Sequence, residues 1–239
     1  MKKQPHHIPL MFMMDVIHGH RTVYPIPLAL GCSFDMDLVS RCCSMAARES
    51  AASGVMVTFS PMADLSRDAR WGRVNESTGE DPYLNYEMAK AQVKGYQGNS
   101  LMDQGTMAAC VKHFCLNNDE EYRNNVNAVV SDRALYEIYL PGFRAAVQDA
   151  KVMGVMGGYN LYKGQHNSTN KILLCDILKG EWGYDGTVIS DWGAVHDTDE
   201  AITNGMDLEF GTWTDGLTMG KTDAYSAYFL ADSYLERLR

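Results

Sequence analysis

The segment GTVISDWGAVHD, residues 186–197, places a carboxylate where a predicted buried strand ends. Residues 187–189 are β-branched and uncharged, which is typical of a strand in a protein interior. Asp191 follows almost at once, with the large aromatic Trp192 beside it. A carboxylate at this position can cap a loop, which is its ordinary role, or it can act as a nucleophile at the mouth of a barrel.

A cationic pair follows another predicted strand, in VKHFCLNNDEEYRNN. Lys112 and His113 stand together at the strand end, and Arg123 lies farther along the loop. Because burying charge costs several kcal/mol unless it is paired, the functional interpretation places both groups at a site mouth, where they donate hydrogen bonds to neutral hydroxyls. A surface lysine beside a core histidine is the alternative.

The segment SPMADLSRDARWGRVNESTGEDPYL, residues 60–84, is a long loop rich in charge. Loops of this length without regular structure are uncommon unless they are functional. Arg73 follows Trp71 and Gly72, an arrangement that suits gripping a polyhydroxylated ring. The alternative is a solvated loop braced by arginine–carboxylate pairs. The charged residues are Asp64, Arg67, Asp68, Arg70, Arg73, Glu76, Glu80 and Asp81.

Apolar runs alternate with helical patterns along the chain, which predicts parallel strands joined by crossover helices. The first helix has Ser33 or Asp35 as its N-cap, and Ser168 or Thr169 caps a later one. The predicted strands lie at residues 8–14, 55–59, 107–111, 152–156, 187–189 and 206–210. The predicted helices cover residues 34–52, 82–96, 132–147, 168–179, 197–203 and 224–238.

Chemically capable residues end nearly every predicted strand, and this feature favours a (β/α)8 TIM-type barrel over a doubly wound sheet. Barrel enzymes build their sites from the ends of many strands, whereas a doubly wound sheet concentrates its ligand at one switch point, usually with a glycine-rich phosphate loop. The sequence has no such glycine motif. Six strands imply an incomplete barrel. The strand-end residues are Asp15, Lys112, His113, Tyr159, Asn160, Asp191 and Glu209.

The composition indicates one globular domain over 239 residues, with 46% apolar residues and a net charge of −9. The negative charge argues against a nucleic acid partner, and no apolar run approaches the ~20 residues that span a membrane. The opening MKKQPHH has no hydrophobic signal region, which favours a cytoplasmic location. The oligomeric state stays open, an oligomer included.

The cysteines and histidines predict neither a metal site nor a bound cofactor. The six cysteines include no C-x-x-C pair, so we expect reduced and mostly buried thiols. His18 and His20 flank one glycine without a third ligand, and His6 and His7 lie in a terminus expected to fray.

Several stretches in this order resemble glycoside hydrolase family 3, in particular its bacterial β-glucosidase branch. They span residues 8–211 and read DVIHGHRTVYPIPLALGCSFD, FSPMADLSRDARWGRVNESTGEDPYL, AACVKHF, YEIYLPGFRAAV, MGGYN and ILKGEWGYDGTVISDWGA. The resemblance implies a barrel domain that hydrolyses terminal non-reducing β-D-glucosyl residues of β-glucosides or oligosaccharides. It also implies a retaining mechanism through a covalent glycosyl-enzyme, with no cofactor.

The resemblance assigns roles to individual residues. Asp191 matches the nucleophile, Tyr159 the tyrosine against it, and Asp15 the acceptor of hydrogen bonds from distal sugar hydroxyls. The remaining substrate-binding matches are Arg21, Arg73, Lys112, His113, Arg123 and Trp192.

The sequence departs from the family pattern at several places, and these differences bear on the expected activity and domain content. Ala69 and Tyr184 replace a usual proline and phenylalanine, and the loop after His113 lacks the second histidine of the N-acetylglucosaminidase branch. The family barrel begins earlier and its acid/base lies in a following domain, so we expect residues 1–239 to be one barrel domain, truncated at its N-terminal end and without that second domain. Glu209 is the best internal acid/base candidate, although a structural acid on the rim is the stronger interpretation. The alternatives are a β-xylosidase and a non-catalytic sugar-binding remnant.

Overall fold

A parallel five-stranded sheet carries the fold in the computed structural model, which describes residues 7–211 and 228–239. Its order is β1-β2-β3-β5-β8, so successive strands of the sheet are neighbours in space. The strands are β1 (Phe12–Met14), β2 (Val55–Thr58), β3 (Ala108–Phe114), β4 (Asn127–Ala128), β5 (Gly154–Gly157), β6 (Leu161–Tyr162), β7 (Gln165–His166) and β8 (Thr187–Ile189).

The strand order confirms the predicted barrel class. Every pair in the main sheet is parallel, and Leu208 continues the series through one parallel bridge to Ile189. The result is a curled sheet that forms half of a barrel, and within the described ranges the series does not close into a ring. The sixth predicted strand, at residues 206–210, is thus reduced to that bridge.

The helices lie close to their predicted positions. Asp35 caps α2 by accepting a hydrogen bond from the main-chain N–H of Leu38 at 2.9 Å, so the structure selects Asp35 over Ser33. The helices are α1 (Pro27–Gly31), α2 (Met36–Ala52), α3 (Pro82–Gln97), α4 (Asp132–Ala134), α5 (Pro141–Arg144), α6 (Thr198–Thr203) and α7 (Asp232–Arg237). The first four residues of the predicted tail helix, 224–227, lie outside the described residues.

Two predicted helices contain wider, π-helical turns. These turns follow α4 and α5 at Leu135–Tyr139 and Ala145–Asp149, and they form the whole helix Ile172–Glu181. The predicted caps Ser168 and Thr169 are wrong for that last helix.

Ser168 and Thr169 are instead fully buried in a 3₁₀ turn, where Ser168 Oγ donates to the carbonyl of Gly158 at 3.1 Å. Asn170 Oδ1 takes over the capping bond, accepting from the N–H of Leu173 at 3.0 Å.

A second, small sheet was not predicted. In it, β6 pairs with β4 in parallel and with β7 in antiparallel fashion. Strands of two residues carry no readable periodicity, which is why the sequence did not reveal them. This sheet ties together the loops that follow β3 and β5.

The main core forms where the helices pack on the sheet. Phe114 lies at its centre, with edge-to-face contacts to Phe143 and Trp182 at centroid distances of 5.3 and 5.6 Å. All six cysteines are free, as expected. Only three of them, Cys43, Cys110 and Cys115, are buried, whereas we expected most to be buried. In the described ranges, no helix has the length and apolarity that crossing a bilayer requires.

Gly95 allows α3 to approach α2 closely. A Cβ at this position would lie 2.5 Å from the carbonyl oxygen of Ser40 and 2.6 Å from Cβ of Cys43. Both neighbours belong to α2, and neither contact is the end of a flexible side chain. A side chain at position 95 must therefore push the two helices apart.

We expect Gly95→Ala to destabilise the protein by about 1–3 kcal/mol, the usual cost of overpacking. The gain in helix propensity, about 1 kcal/mol at an exposed position, acts in the opposite direction. Chemical denaturation measures the change, with Lys94→Ala at the adjacent exposed position as control. A Gly95→Ala protein as stable as the parent would contradict the close helix contact.

Candidate active site

A cavity of about 280 Å³ opens at the carboxyl ends of the sheet strands. It contains all the predicted site residues except Arg21. Its size is at the lower end of the range of about 300–1,000 Å³ that drug-sized ligands occupy, which suits one small ring. The cavity is lined by Asp15, Phe59, Arg73, Lys112, His113, Arg123, Met156, Tyr159, Asp191, Trp192 and Phe210.

Asp191 is held by donors on one of its two carboxylate oxygens. Oδ1 accepts hydrogen bonds from the Tyr159 hydroxyl at 3.0 Å and from the main-chain N–H of Trp192 at 2.6 Å. Oδ2 faces Nε2 of His113 at 3.4 Å. Burial raises the pKa of Asp191, while the Trp192 N–H, Tyr159, Lys112 and Arg73 act in the opposite direction.

Lys112 and Asp15 form an ion pair across the sheet from β3 to the end of β1. Lys112 Nζ lies 2.5 Å from Asp15 Oδ1, and the lysine side chain is only 5% exposed whereas the aspartate is 59% exposed. The aspartate thus pairs a buried cation while keeping access to solvent. The sequence placed Lys112 after the strand, but β3 continues to Phe114, so Lys112 and His113 lie inside it.

Arg73 links the long loop to the cavity. Its Nε and Nη2 donate to the two carboxylate oxygens of Glu76, each at 2.8 Å, and Nη1 lies 3.1 Å from Nε2 of His113. The 3₁₀ turn Val74–Glu76 begins directly after Arg73 and brings Glu76 into reach. The sequence offered two alternatives for Arg73, a brace within the loop and a residue of the site. Arg73 does both, because it pairs with Glu76 and also lines the cavity.

His113 is buried and neutral. Burial, followed by the positive charges of Arg73, Lys112 and Arg123, lowers its pKa well below the ordinary value. Its Nδ1 lies 2.8 Å from Oδ2 of Asp64, which is fully buried. The sequence marked Asp64 only as one charge of the long loop, because a contact over 49 residues leaves no local signal.

Arg123 reaches the cavity over the ring of Tyr159. Its guanidinium carbon lies 4.1 Å from the ring centroid, a cation–π geometry. Nη1 also donates to Glu120 Oε2 at 2.6 Å, and Glu120 Oε1 accepts from the Trp71 indole at 3.2 Å. Glu120 thereby connects the loop after β3 with the loop after β2.

Aromatic rings form one wall of the cavity. Trp192 stacks on Phe210 at a centroid distance of 6.4 Å, and Phe59 meets Phe210 edge-to-face at 5.5 Å. Gly211 keeps this wall in place: its φ is +62°, and a Cβ there would lie 2.4 Å from the Trp192 ring. Trp192 keeps about half of its surface exposed, so its face is available to a ligand.

Two sequence candidates lie elsewhere. Arg21 is exposed in a loop whose main chain bonds to Glu49 of α2, and it is absent from the cavity lining. Glu209 accepts main-chain N–H groups of Phe229 and Leu230 on its two oxygens, at 3.2 and 2.8 Å, which is a structural role. Among the described residues, no three histidine, cysteine, aspartate or glutamate side chains converge as metal ligands.

Comparison with protein families identifies the domain. The model of the glycosyl hydrolase family 3 N terminal domain matches residues 1–207. The chain belongs to glycosyl hydrolase family 3. The family match covers the whole sheet and the cavity-lining residues up to Trp192.

Two bacterial β-glucosidases resemble the chain over nearly its whole length. Beta-glucosidase BoGH3A of Bacteroides ovatus is 40% identical over 97% of this chain and 33% of its own length. Thermostable beta-glucosidase B of Acetivibrio thermocellus is 36% identical over 96% of this chain and 32% of its own length. The chain therefore spans about a third of the length of these family 3 relatives.

Solved family 3 structures share the fold. The β-glucosidase of Listeria innocua in complex with glucose superposes with a TM-score of 0.82 at 47% identity, covering 88% of this chain and 32% of that one. β-Glucosidase 3B of Thermotoga neapolitana, in complex with α-D-glucose, gives 0.79 at 34% identity over 84% and 29% of the two chains.

We expect Tyr159→Phe to raise the pKa of Asp191, because the variant removes a hydroxyl that donates to the charged form. Carbon-13 NMR titration of the aspartate carboxyls measures this shift without reference to any activity. Tyr184→Phe is the control, since the Tyr184 hydroxyl donates to the carbonyls of Met153 and Thr187, outside the cavity. An Asp191 pKa that stays at its parental value in Tyr159→Phe would refute the assigned contact.

Proposed function

We propose that this domain binds the terminal non-reducing β-D-glucosyl residue of β-glucosides or oligosaccharides and transfers it to Asp191 as a covalent glycosyl-enzyme. The arrangement of Asp191 carries the proposal. Oδ1 lies within hydrogen-bond distance of two donors, the Tyr159 hydroxyl and the Trp192 N–H, whereas Oδ2 faces Nε2 of the neutral His113 ring at 3.4 Å. One oxygen is thus anchored and the other is left for attack on an anomeric carbon.

The charges around Asp191 suit a nucleophile. A carboxylate must be ionised to attack, and burial alone favours its protonated form. Lys112 and Arg73 oppose this effect with positive charge, while the Trp192 N–H and the Tyr159 hydroxyl stabilise the anion directly. Burial remains the larger effect, so the pKa of Asp191 stays above its ordinary value, and the donors and cations limit that rise.

The other lining groups suit a sugar ring. Asp15 offers a partly exposed acceptor beside the Lys112 ammonium, and vicinal hydroxyls donate and accept at such a pair. Trp192 supplies an apolar face for the C–H groups of the ring. Glucose is favoured over xylose because the matched relatives are named β-glucosidases, and Listeria innocua structures are described with glucose, isofagomine and laminaribiose.

The general acid/base has no candidate among the described residues. A retaining enzyme needs a second carboxyl group about 5–5.5 Å from the nucleophile. Asp15, the other carboxylate of the cavity lining, is paired with Lys112, and Glu209 is engaged by the main chain. We therefore assign this barrel domain the sugar pocket and the nucleophile, and leave the proton donor outside the assignment.

Asp191→Asn should abolish glycosidase activity while leaving the fold intact, because the amide is nearly isosteric but a poor nucleophile. Hydrolysis of an aryl β-glucoside and far-UV circular dichroism are measured together. Asp185→Asn, an exposed aspartate at the other end of β8, is the matched control and should keep full activity. A folded Asp191→Asn protein with parental activity would remove Asp191 from the mechanism.

An activated substrate separates the two halves of the reaction. Positioned acid catalysis is worth roughly 10²–10⁴-fold, but dinitrophenolate leaves without a proton. A dinitrophenyl β-glucoside should therefore give one burst of dinitrophenol per folded chain, then slow turnover, and azide should accelerate the slow phase because it attacks without a base.

Mass spectrometry should then find a hexose on the peptide that contains Asp191. The matching dinitrophenyl β-xyloside tests sugar choice, and a faster burst with it would favour a β-xylosidase. Rapid cellobiose hydrolysis by the 239-residue protein would show that an acid/base is present after all.

A further inference from the structure

Asp64 is a buried carboxyl group that the proposed reaction does not use. Its side chain is 0% exposed, and it lies behind the cavity without lining it. Oδ2 accepts the main-chain N–H of His113 at 2.8 Å and lies 2.8 Å from Nδ1 of the same residue. One oxygen therefore contacts both the backbone and the ring of His113.

The proton between Asp64 and His113 can be placed from the other side of the ring. Arg73 Nη1 lies 3.1 Å from Nε2, and a guanidinium can only donate. Nε2 must then be the accepting nitrogen, so the single hydrogen of the neutral ring is on Nδ1. The contact with Asp64 is thus Nδ1–H donating to Oδ2.

We propose that Asp64 is a positioning residue that acts through Oδ2 to fix the tautomer and orientation of His113, so that Nε2 accepts the Nη1–H of Arg73 and holds that guanidinium at the cavity. A guanidinium has five N–H donors, and the contacts of Arg73 with Glu76 and His113 use three of them, so two can donate to a sugar hydroxyl. His113 thus acts on the sugar through Arg73, whereas the sequence led us to expect that His113 itself donates to a hydroxyl. The consequence for catalysis rests on the proposed function.

This tautomer also affects the proposed nucleophile. With no hydrogen on Nε2, the 3.4 Å separation from Asp191 Oδ2 is not a hydrogen bond. The opposite tautomer would aim an N–H at that oxygen and stabilise it before reaction, which lowers its nucleophilicity. By fixing the hydrogen on Nδ1, Asp64 prevents His113 from donating to Oδ2 of Asp191, and that oxygen remains free to attack.

Asp64 performs this role as a neutral acceptor. Oδ2 accepts two N–H groups, as the carbonyl oxygen of a neutral acid can, while buried Oδ1 has no hydrogen-bond partner among the described residues. Burial raises the pKa of Asp64 to about 8, so Oδ1 carries the proton near neutral pH. Asparagine reproduces this arrangement, because its amide oxygen accepts both bonds; leucine has a similar size and accepts neither.

Nitrogen-15 NMR of histidine-labelled protein reads the tautomer directly, with the His113 signals assigned from His113→Gln. The parent and Asp64→Asn should show hydrogen on Nδ1 and a bare Nε2, whereas Asp64→Leu should lose this pattern. Gln97→Leu is the matched control, because Gln97 Oε1 also accepts two main-chain N–H groups, of Ala109 and Met153, away from the cavity. Gln97→Leu should keep the parental tautomer.

Kinetics test the catalytic consequence. Asp64→Leu should lower kcat/KM for an aryl β-glucoside by about 10- to 100-fold, mainly through KM, and Asp64→Asn should restore most of it. A loss equal in Asp64→Leu and Gln97→Leu would indicate general destabilisation and overturn the positioning role.

Hydrogen on Nε2 in the parent or in Asp64→Asn overturns the proposal, and so does a parental tautomer in Asp64→Leu. If Asp64→Leu does not fold, the parent and Asp64→Asn spectra still decide. A parent that gives no burst of dinitrophenol would refute the proposed function but leave the tautomer result standing, so the two failures are distinguishable.

Discussion

A largely buried carboxylate, Asp191, can exist at the end of β8 only because donors and positive charge surround it. Taking an unpaired charge out of water costs several kcal/mol. The side chain is 15% exposed, and its Oδ1 accepts from the Tyr159 hydroxyl and the Trp192 N–H, with the positive charges of Lys112 and Arg73 nearby. These groups offset part of the cost of burying the charge of Asp191.

The cations around the cavity are also buried or partly buried, and each of them is paired with a carboxylate. Lys112 is paired with Asp15, Arg73 with Glu76, and Arg123 with Glu120. Each pair joins chain segments or stiffens a loop, so satisfying the charges also fixes the loops. His113 is the exception: burial and neighbouring cations keep it neutral, and a hydrogen-bond partner rather than a counter-charge defines its state.

Much of the scaffold was predictable from local patterns. The helices α2 and α3 were predicted near their observed positions, α2 with Asp35 as one of two candidate caps, and β8 follows from a β-branched run. Sequence patterns gave the wrong local structure where long-range contacts outweigh local conformational preference. Ser168 is buried and holds Gly158 instead of capping a helix, and the two-residue strands of the small sheet exist only because distant loops meet.

The sequence by itself determined the fold class and indicated most of the polar residues of the cavity, but not its apolar lining by Phe59, Met156 and Phe210. Parallel strands bring the residues at their carboxyl ends to one edge of the sheet. Only the tertiary structure decided which of these residues touch. It excluded Arg21 from the cavity lining, turned Glu209 toward the main chain of residues 229 and 230, and placed Asp64 behind His113. These contacts join residues far apart in the chain, and their existence depends on packing and desolvation, which no local spacing records.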